Sequence, residues 1–494
     1  MDIPYVRKLT SAEDQKQFAR VMATAFVYSF DEASFKPKTQ EELAQLPETS
    51  YGFGNPVSSG MVIHSFDVFF DGALVKATGV GGVASLPESR GNGGIRQIFE
   101  ALLPEWYRDG VTFSMLYPFS HTFYRQFGYE LVQQGYRYTV PIEAFKAFPQ
   151  GAAARAVTDP SELTRVAEIF GHRNNLYIKR KPSQWHRVAA DPLKELHFTY
   201  AIGDDAFFSC ITQKPLEGGD RYTLFIKDIA YRDELSLRKL LGFLYTFRSQ
   251  YGRVKLLLPA SVPLMHMIPE CYDADLSVEQ RGMARIVNVT RALRGMRYPA
   301  GTGRFTVYVT DEQIPENNGV FRITYQEGKA TSVLKIGDDP SDIRPEDAST
   351  IQVFKAAPKS DPEPETPTRF PEDQPTGFMT DSDWGKEEPL AGYMTHTSAA
   401  SAGFLADSDL QKAKEQRAEE ARIRAAAEEA AKEHVSDDFV TPIDLSCSIQ
   451  VLTQLVLGTL TAEQAMYLPD VTCPHPAAFR QIFTRKDIFF TDGF

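Results

Sequence analysis

Cysteine is scarce in this sequence. Its four residues, Cys210, Cys271, Cys447 and Cys473, include no pair at C-x-x-C spacing. That argues against a zinc-ribbon type of metal site and against a disulfide framework, and it predicts free thiols in a reducing compartment. Long apolar runs are missing as well. None approaches the roughly 18 residues that a membrane-crossing helix needs, so no membrane span is expected. The opening residues Met1–Lys8 lack the basic-then-apolar order of a secretory signal, which predicts a cytoplasmic location. Positive charge is in deficit, with 53 Lys and Arg against 65 Asp and Glu, a formal net charge of −12. An acidic surface disfavours nucleic acid and suits cationic partners such as polyamines or basic antibiotics. Neither G-x-x-x-x-G-K-[ST] nor the Rossmann glycine fingerprint occurs, which removes two common nucleotide-binding loops.

The 494 residues, 43% hydrophobic and 24% charged, have an ordinary globular composition and room for about three domains. Residues 1–150 read as mixed α/β. Ser11 with Glu13 and Asp14 opens a helix whose apolar positions Phe18, Val21, Met22 and Ala25 repeat at helical spacing. Met61–Phe70 and Ala73–Leu86 flank Asp71-Gly72, a hairpin signal. A glycine-rich segment follows, then a helix with Ile95, Ile98, Leu102 and Trp106 on one face, then a strand over Val111–Leu116. Residues 151–284 repeat the theme: a helix over Ser161–Phe170, a strand pair over Leu196–Gln213 and Arg221–Ile229, a helix over Leu235–Tyr251 and a strand over Val254–Leu258. From 285 to the end the pattern changes. A short helix at Thr290–Gly295 leads to strands at Arg304–Thr310, Gly319–Tyr325 and Thr331–Ile336.

Residues of about 338–437 read as an insertion in this third region. Most of it is rich in Pro, Asp, Glu, Ser and Thr and cannot bury enough apolar surface to offset its ordering entropy. Within it Asp409–His434 is built of strong helix formers without an apolar stripe, which predicts a solvated helix. After it, Asp444–Ile449 reads as a strand, and Gln450–Leu457 and Thr461–Leu468 as helices.

The segment most suggestive of chemistry is the turn after Val83-Ala84-Ser85-Leu86. There Arg90-Gly91-Asn92-Gly93-Gly94 stands between a strand and a helix. Glycines let the backbone approach an anion, the helix N-terminus offers free N–H groups, and Arg90 adds a fixed positive charge. Taken alone, the same pattern also describes an ordinary turn.

Arg90-Gly91-Asn92-Gly93-Gly94-Ile95 resembles the R-x-x-G-x-G/A pyrophosphate loop of the GNAT acetyltransferases, with Ile95 departing from the final small residue. Pro87 to Arg96 is similar to the P-x-x-R-x-x-G-x-x-R run of one branch, the Eis family. Phe123-Tyr124-Arg125-Gln126-Phe127-Gly128-Tyr129 is similar to that family's I/F-Y-x-x-F-G-Y run. Arg285-Ile286-Val287-Asn288-Val289-Thr290-Arg291-Ala292-Leu293 looks like its entry into a sterol-carrier-protein-like domain, Leu455-Val456-Leu457-Gly458 like its L-x-L-G run, and the chain ends on Phe494. The long insertion departs from the family pattern.

The resemblance implies an α/β (α+β) chain: a catalytic GNAT domain (1–150), a degenerate GNAT domain (151–284) and a sterol-carrier-like α+β domain (285–494) carrying the disordered and helical insertion. It implies an acetyl-CoA-dependent N-acetyltransferase without a metal, acting on amines of aminoglycoside, polyamine or lysine type and assembled as a homo-hexamer. In that scheme the backbone of Val83, Ala84 and Ser85 holds the pantetheine arm, and Arg90, Gly91, Asn92, Gly93 and Gly94 hold the pyrophosphate. Tyr124 is the general acid, the Phe494 carboxylate is the general base, and Phe26 and Tyr28 line the acceptor pocket. A phenol near pKa 10 suits an acid that must stay protonated. Tyr28 stands where the family often has an acid. In the second half, Ala230-Tyr231-Arg232-Asp233-Glu234-Leu235-Ser236 has no glycine and two carboxylates, so no CoA binding is expected there. Two other readings stand beside this one: a lipid or apolar-ligand carrier with a vestigial acetyltransferase, and a scaffold working through the 409–434 helix.

Overall fold

The structure is a computed structural model that describes residues 6–187, 196–214, 221–343, 352–354 and 443–491. Phe494, the expected helix at 409–434 and nearly all of the expected insertion lie outside the described residues.

The first half runs β1 (Val6–Lys8), α1 (Ala12–Phe26), α2 (Gln40–Gln45), β2 (Glu48–Phe53), β3 (Ser59–Phe70), β4 (Ala73–Ser85), α3 (Gly94–Arg108), β5 (Phe113–Leu116), α4 (His121–Arg125) and β6 (Glu130–Pro141). Ser11 caps α1 by accepting from the Asp14 amide, and Asp71-Gly72 makes the β3–β4 turn, both as the sequence predicts. The second half runs β7 (Ala154–Ala156), α5 (Thr164–Gly171), β8 (His197–Ile202), β9 (Ala206–Gln213), β10 (Tyr222–Tyr231), α6 (Glu234–Leu244), β11 (Tyr251–Leu258), α7 (Leu264–Met267) and β12 (Asp275–Ile286). Two expectations change here. The run Leu196–Gln213 is a hairpin, β8 and β9, because Gly203-Asp204-Asp205 turns the chain. The helix expected to reach Tyr251 ends at Leu244 and tightens into a 3₁₀ turn over Tyr245–Ser249.

Both halves share one twelve-stranded sheet, ordered β1-β2-β3-β4-β5-β12-β6-β11-β10-β9-β8-β7. The middle of that order is an exchange. β5 of the first half pairs with β12, the last strand of the second, and β11 of the second half pairs with β6, the last strand of the first. β6 and β12 then pair with each other, antiparallel, from Asp275↔Thr139 to Ala284↔Glu130. Each half therefore completes its sheet with a strand from the other. Arg137 on β6 binds Glu279 on β12, and its guanidinium lies 5.2 Å from the Phe225 ring of β10.

The third region contributes α8 (Val289–Gly295), β13 (Thr302–Thr310), β14 (Gly319–Gln326), β15 (Lys329–Gly337), β16 (Gln352–Phe354), β17 (Leu445–Ser448), α9 (Ile449–Leu457) and α10 (Ala462–Ala465). Its sheet is ordered β15-β14-β13-β16, with β17 parallel to β13. Asp444 fixes β17 there by accepting from the Thr306 amide (2.8 Å) and hydroxyl (3.0 Å). The buried face of α9 packs on β6 and β12, so one apolar core joins this region to the first half.

A buried ion pair crosses the same junction. The Arg285 guanidinium donates to Asp311 Oδ2 (2.5 Å), to the Phe127 carbonyl (2.5 Å) and to the Ile286 carbonyl (3.2 Å). Both charged side chains are 0% exposed. Asp311 accepts further from Asn317 Nδ2 (2.9 Å) and from the amides of Gln313 and Ile314. Cys210, Cys447 and Cys473 are free and buried, and burial pushes the Cys210 and Cys447 thiols up to about 12.

Candidate active site

The site begins with a fault in a strand. Between the pairs Gly60↔Ala84 and Val62↔Gly81, two residues of β4 oppose one of β3. Gly82 takes φ 55° at this bulge, a conformation that glycine adopts without a Cβ penalty. The bulge turns β4 away from β5. Only Ala77–Val80 pair with Phe113–Leu116, so β4 beyond Val80 keeps β3 on one side and, among the described residues, has no strand on the other. The edge of Val83-Ala84-Ser85 thus offers backbone donors and acceptors to an extended ligand.

The chain next enters α3 through the glycine-rich turn. Gly91 (φ 83°) and Gly93 (φ 78°) are left-handed, with open space where a Cβ would stand. Gly93 is the N-cap of α3 and brings no side chain to its first turn. The first amides of a helix have no intrahelical acceptor, so those of Gly94, Ile95 and Arg96 are free to bind an anion. Arg90 is exposed, with no ion pair to any described residue. Such an uncapped N-terminus beside a positive side chain can hold an anion.

On the far side of the gap, β5 runs into Tyr117-Pro118-Phe119, and Ser120 caps α4 by accepting from the Phe123 amide. α4 carries Tyr124, whose ring is 2% exposed and set edge-to-face with Phe119, Phe123 and Tyr129. Burial, with a smaller contribution from Tyr129, raises the Tyr124 phenol well above its ordinary range. Among the described residues its hydroxyl makes no hydrogen bond.

These pieces enclose one cleft of about 860 Å³. Of the residues singled out in the sequence, Phe26, Val83, Ala84, Ser85, Arg90, Gly91, Gly93, Gly94 and Tyr124 all line it. Asn92 and Tyr28 are exposed neighbours outside the lining, and Phe494 lies outside the described residues. Sequence reasoning missed Tyr117, Phe119 and Gly82. The position of Tyr117 just past the carboxyl end of a parallel strand was the available signal, since α/β sheets bind ligands there.

Tyr117 also holds the C-terminal tail. Its hydroxyl donates to the Phe490 carbonyl (3.0 Å), as does Gln133 Nε2 (3.1 Å). The Phe490 ring lies over Gly282 of β12, where an added Cβ would come within 1.9 Å of Cζ. Three residues separate Phe490 from Phe494, so Phe494 can reach up to about 13 Å beyond it. Gly282→Ala should therefore unseat Phe490, and the expected readout is faster release of Phe494 by carboxypeptidase together with a lower melting temperature, since the Phe490 ring is fully buried. Equal release rates would mean that β12 yields instead of the ring.

The second half repeats the splay. β10 and β11 pair only over Tyr222–Phe225, and β10 bulges between Ile226 and Asp228. Here protein groups take the places left open in the first half. Asp228 pairs with Arg180 (2.8 Å), Thr491 reaches Asp228 (3.3 Å), and Phe489 packs on Phe170, which in turn packs on Tyr231. At the N-terminus of α6, Asp233 accepts from the Ser236 amide (2.8 Å) and hydroxyl (2.6 Å) and from Arg232. Those bonds hold its carboxyl far below the usual range. A carboxylate thus already occupies the anion position of this helix.

Known proteins share this fold. An acetyltransferase (GNAT) domain family matches residues 5–132, a second acetyltransferase (GNAT) domain family matches 176–286, and a sterol carrier protein domain family matches 289–353. The chain has no match among curated protein sequences. Among solved structures it is similar to a GCN5-related N-acetyltransferase from Anabaena variabilis at 18% identity and TM-score 0.68, covering 99% of this chain and 100% of that one. It is similar to a probable N-acyltransferase from Enterococcus faecalis at 18% identity and TM-score 0.65, covering 99% and 98%. It is also similar to Eis1 from Mycobacterium abscessus at 15% identity and TM-score 0.65, covering 100% of both chains. At such identities the likeness is one of fold. The chain carries two GNAT acetyltransferase domains in tandem and a sterol carrier protein domain after them.

Proposed function

We propose that the first-half cleft transfers an acetyl group from acetyl-CoA to a primary amine, of the kind found in aminoglycosides, polyamines or lysine side chains. The observation that carries this reading is the convergence of an unpaired β4 edge, an uncapped α3 N-terminus and a buried phenol on one cleft. The β4 edge at Val83-Ala84-Ser85 suits the amides of a pantetheine arm, and its N–H groups suit a developing oxyanion. Arg90 and the amides of Gly91 to Gly94 suit the pyrophosphate.

In this scheme the neutral amine attacks the thioester carbonyl directly and the carbon–sulfur bond breaks. The amine's proton leaves to a base, and the departing thiolate takes a proton from Tyr124. The Phe494 carboxylate is our candidate for the base, on the strength of the tail's anchorage at Phe490 beside the cleft. The second half, with Asp233 at its helix terminus, binds no CoA in this reading and walls the acceptor side. A cytoplasmic homo-hexamer is part of the same proposal.

Thiol release from acetyl-CoA with a panel of amines, alongside calorimetric CoA binding, tests the proposal. Turnover is expected from the full chain, with binding retained and turnover lost in a chain lacking Phe494. Absence of CoA binding would end the acetyltransferase reading of this cleft.

A further inference from the structure

We infer that the acetyl acceptor of this cleft carries its reacting amine on an aromatic or apolar body, and is not a polycation. The inference rests on the acetyltransfer reading above, and among its primary amines it sets aside the polyamine and aminoglycoside acceptors.

The first observation is charge. The charged side chains among the lining residues are Arg90 and Arg96, both positive, and no carboxylate lines the cleft among the described residues. Arg96 is itself committed, donating to Gln126 Oε1 and lying 5.7 Å from the Phe127 ring. The carboxylate proposed from Phe494 serves the reacting amine. With Arg90 turned to the pyrophosphate of CoA, a second or third ammonium on the acceptor would find no carboxylate to pair with among the described lining residues, an arrangement that selects against it.

The second observation is apolar surface. Six aromatic rings line the cleft: Phe26, Tyr117, Phe119, Phe123, Tyr124 and Phe127. At its mouth large side chains stand uncovered, with Phe119 70% and Phe26 54% exposed, and Tyr28 beside them on the chain 50% exposed. Val27 between the latter two is left-handed (φ 56°), a strained state for a β-branched residue, and it ends α1 so that neither flanking ring turns into the core. Uncovered aromatic side chains on the wall of a cleft suit an apolar ligand. Covering one ring is worth roughly tenfold or more in affinity.

The test compares kcat/KM for 2-phenylethylamine and spermidine at saturating acetyl-CoA, in the wild-type chain and in Phe26→Glu/Tyr28→Glu. Both positions are exposed, so the variant should fold; its melting curve checks that. We expect phenylethylamine to exceed spermidine at least tenfold in the wild type, and the variant to reverse the order. Spermidine equal to or better than phenylethylamine in the wild type overturns the inference and leaves acetyl transfer standing. Release with neither amine also overturns it, and CoA binding then decides whether the acetyltransferase reading falls with it.

Discussion

Replacing Tyr124 by Phe should lower kcat by about 10²- to 10⁴-fold while leaving CoA affinity and the melting temperature unchanged. The substitution keeps the ring that packs against Phe119, Phe123 and Tyr129 and removes only a hydroxyl that bonds no described residue. Loss of a hydroxyl without a protein partner strands no other polar group, so stability should not fall. The pH profile separates an acid from a packing aromatic. Burial raises the Tyr124 pKa, so the protonated form persists further into alkali than an ordinary phenol near 10. The alkaline limb of kcat should accordingly not descend through an ordinary phenol's range, and in the Phe variant the residual rate should lose any limb that belongs to this hydroxyl. Unchanged kcat in Tyr124→Phe would return Tyr124 to a purely structural role.

Asp311→Ala should be the most destabilising single change we can name, costing about 3–5 kcal/mol. It strips the counter-ion from a guanidinium that has no exposure to water, and Arg285 cannot turn outward to recover its hydration. Asn317 and the amides of Gln313 and Ile314 lose their acceptor at the same time. Arg285 bonds Phe127 as well, three residues from Tyr124, so activity should decay at lower temperature than in the wild type. Denaturant unfolding measures the first effect. The double variant Arg285→Met/Asp311→Leu is the control: apolar replacement of both partners should restore much of the loss, because no charge is left buried alone. Equal damage in the double variant would assign the cost to packing.

The first-half cleft was largely legible in the sequence because its parts are local. The Asp71-Gly72 turn, the glycine run at 91–94 and the 3.6-residue repeat of α3 each announce themselves within a dozen residues. The two strands at the centre of the sheet were not legible. β6 and β12 read ELVQQGYRYTVP and DLSVEQRGMARI, polar on much of their length and lacking clean alternation. Arg137 and Glu279 make sense only once the strands face each other, 142 residues apart in sequence. Gly82 was equally silent, since one glycine among the three at 79, 81 and 82 does not declare which of them bulges. Gly282 carries no signal in the sequence and is the seat of an aromatic ring.

The crossing of β6 and β12 also bears on how the protein is made. When the ribosome has finished β5 at Leu116, the strand that will lie against it begins only at Asp275, about 160 residues later. At roughly 5–20 residues per second, the nascent first half waits some ten to thirty seconds with an open edge. An open edge is a template for pairing with other chains. The first half is therefore expected to be among the last parts of the unit to mature, although it is the first to be translated, and to depend during that interval on whatever shields unpaired strands in the cell.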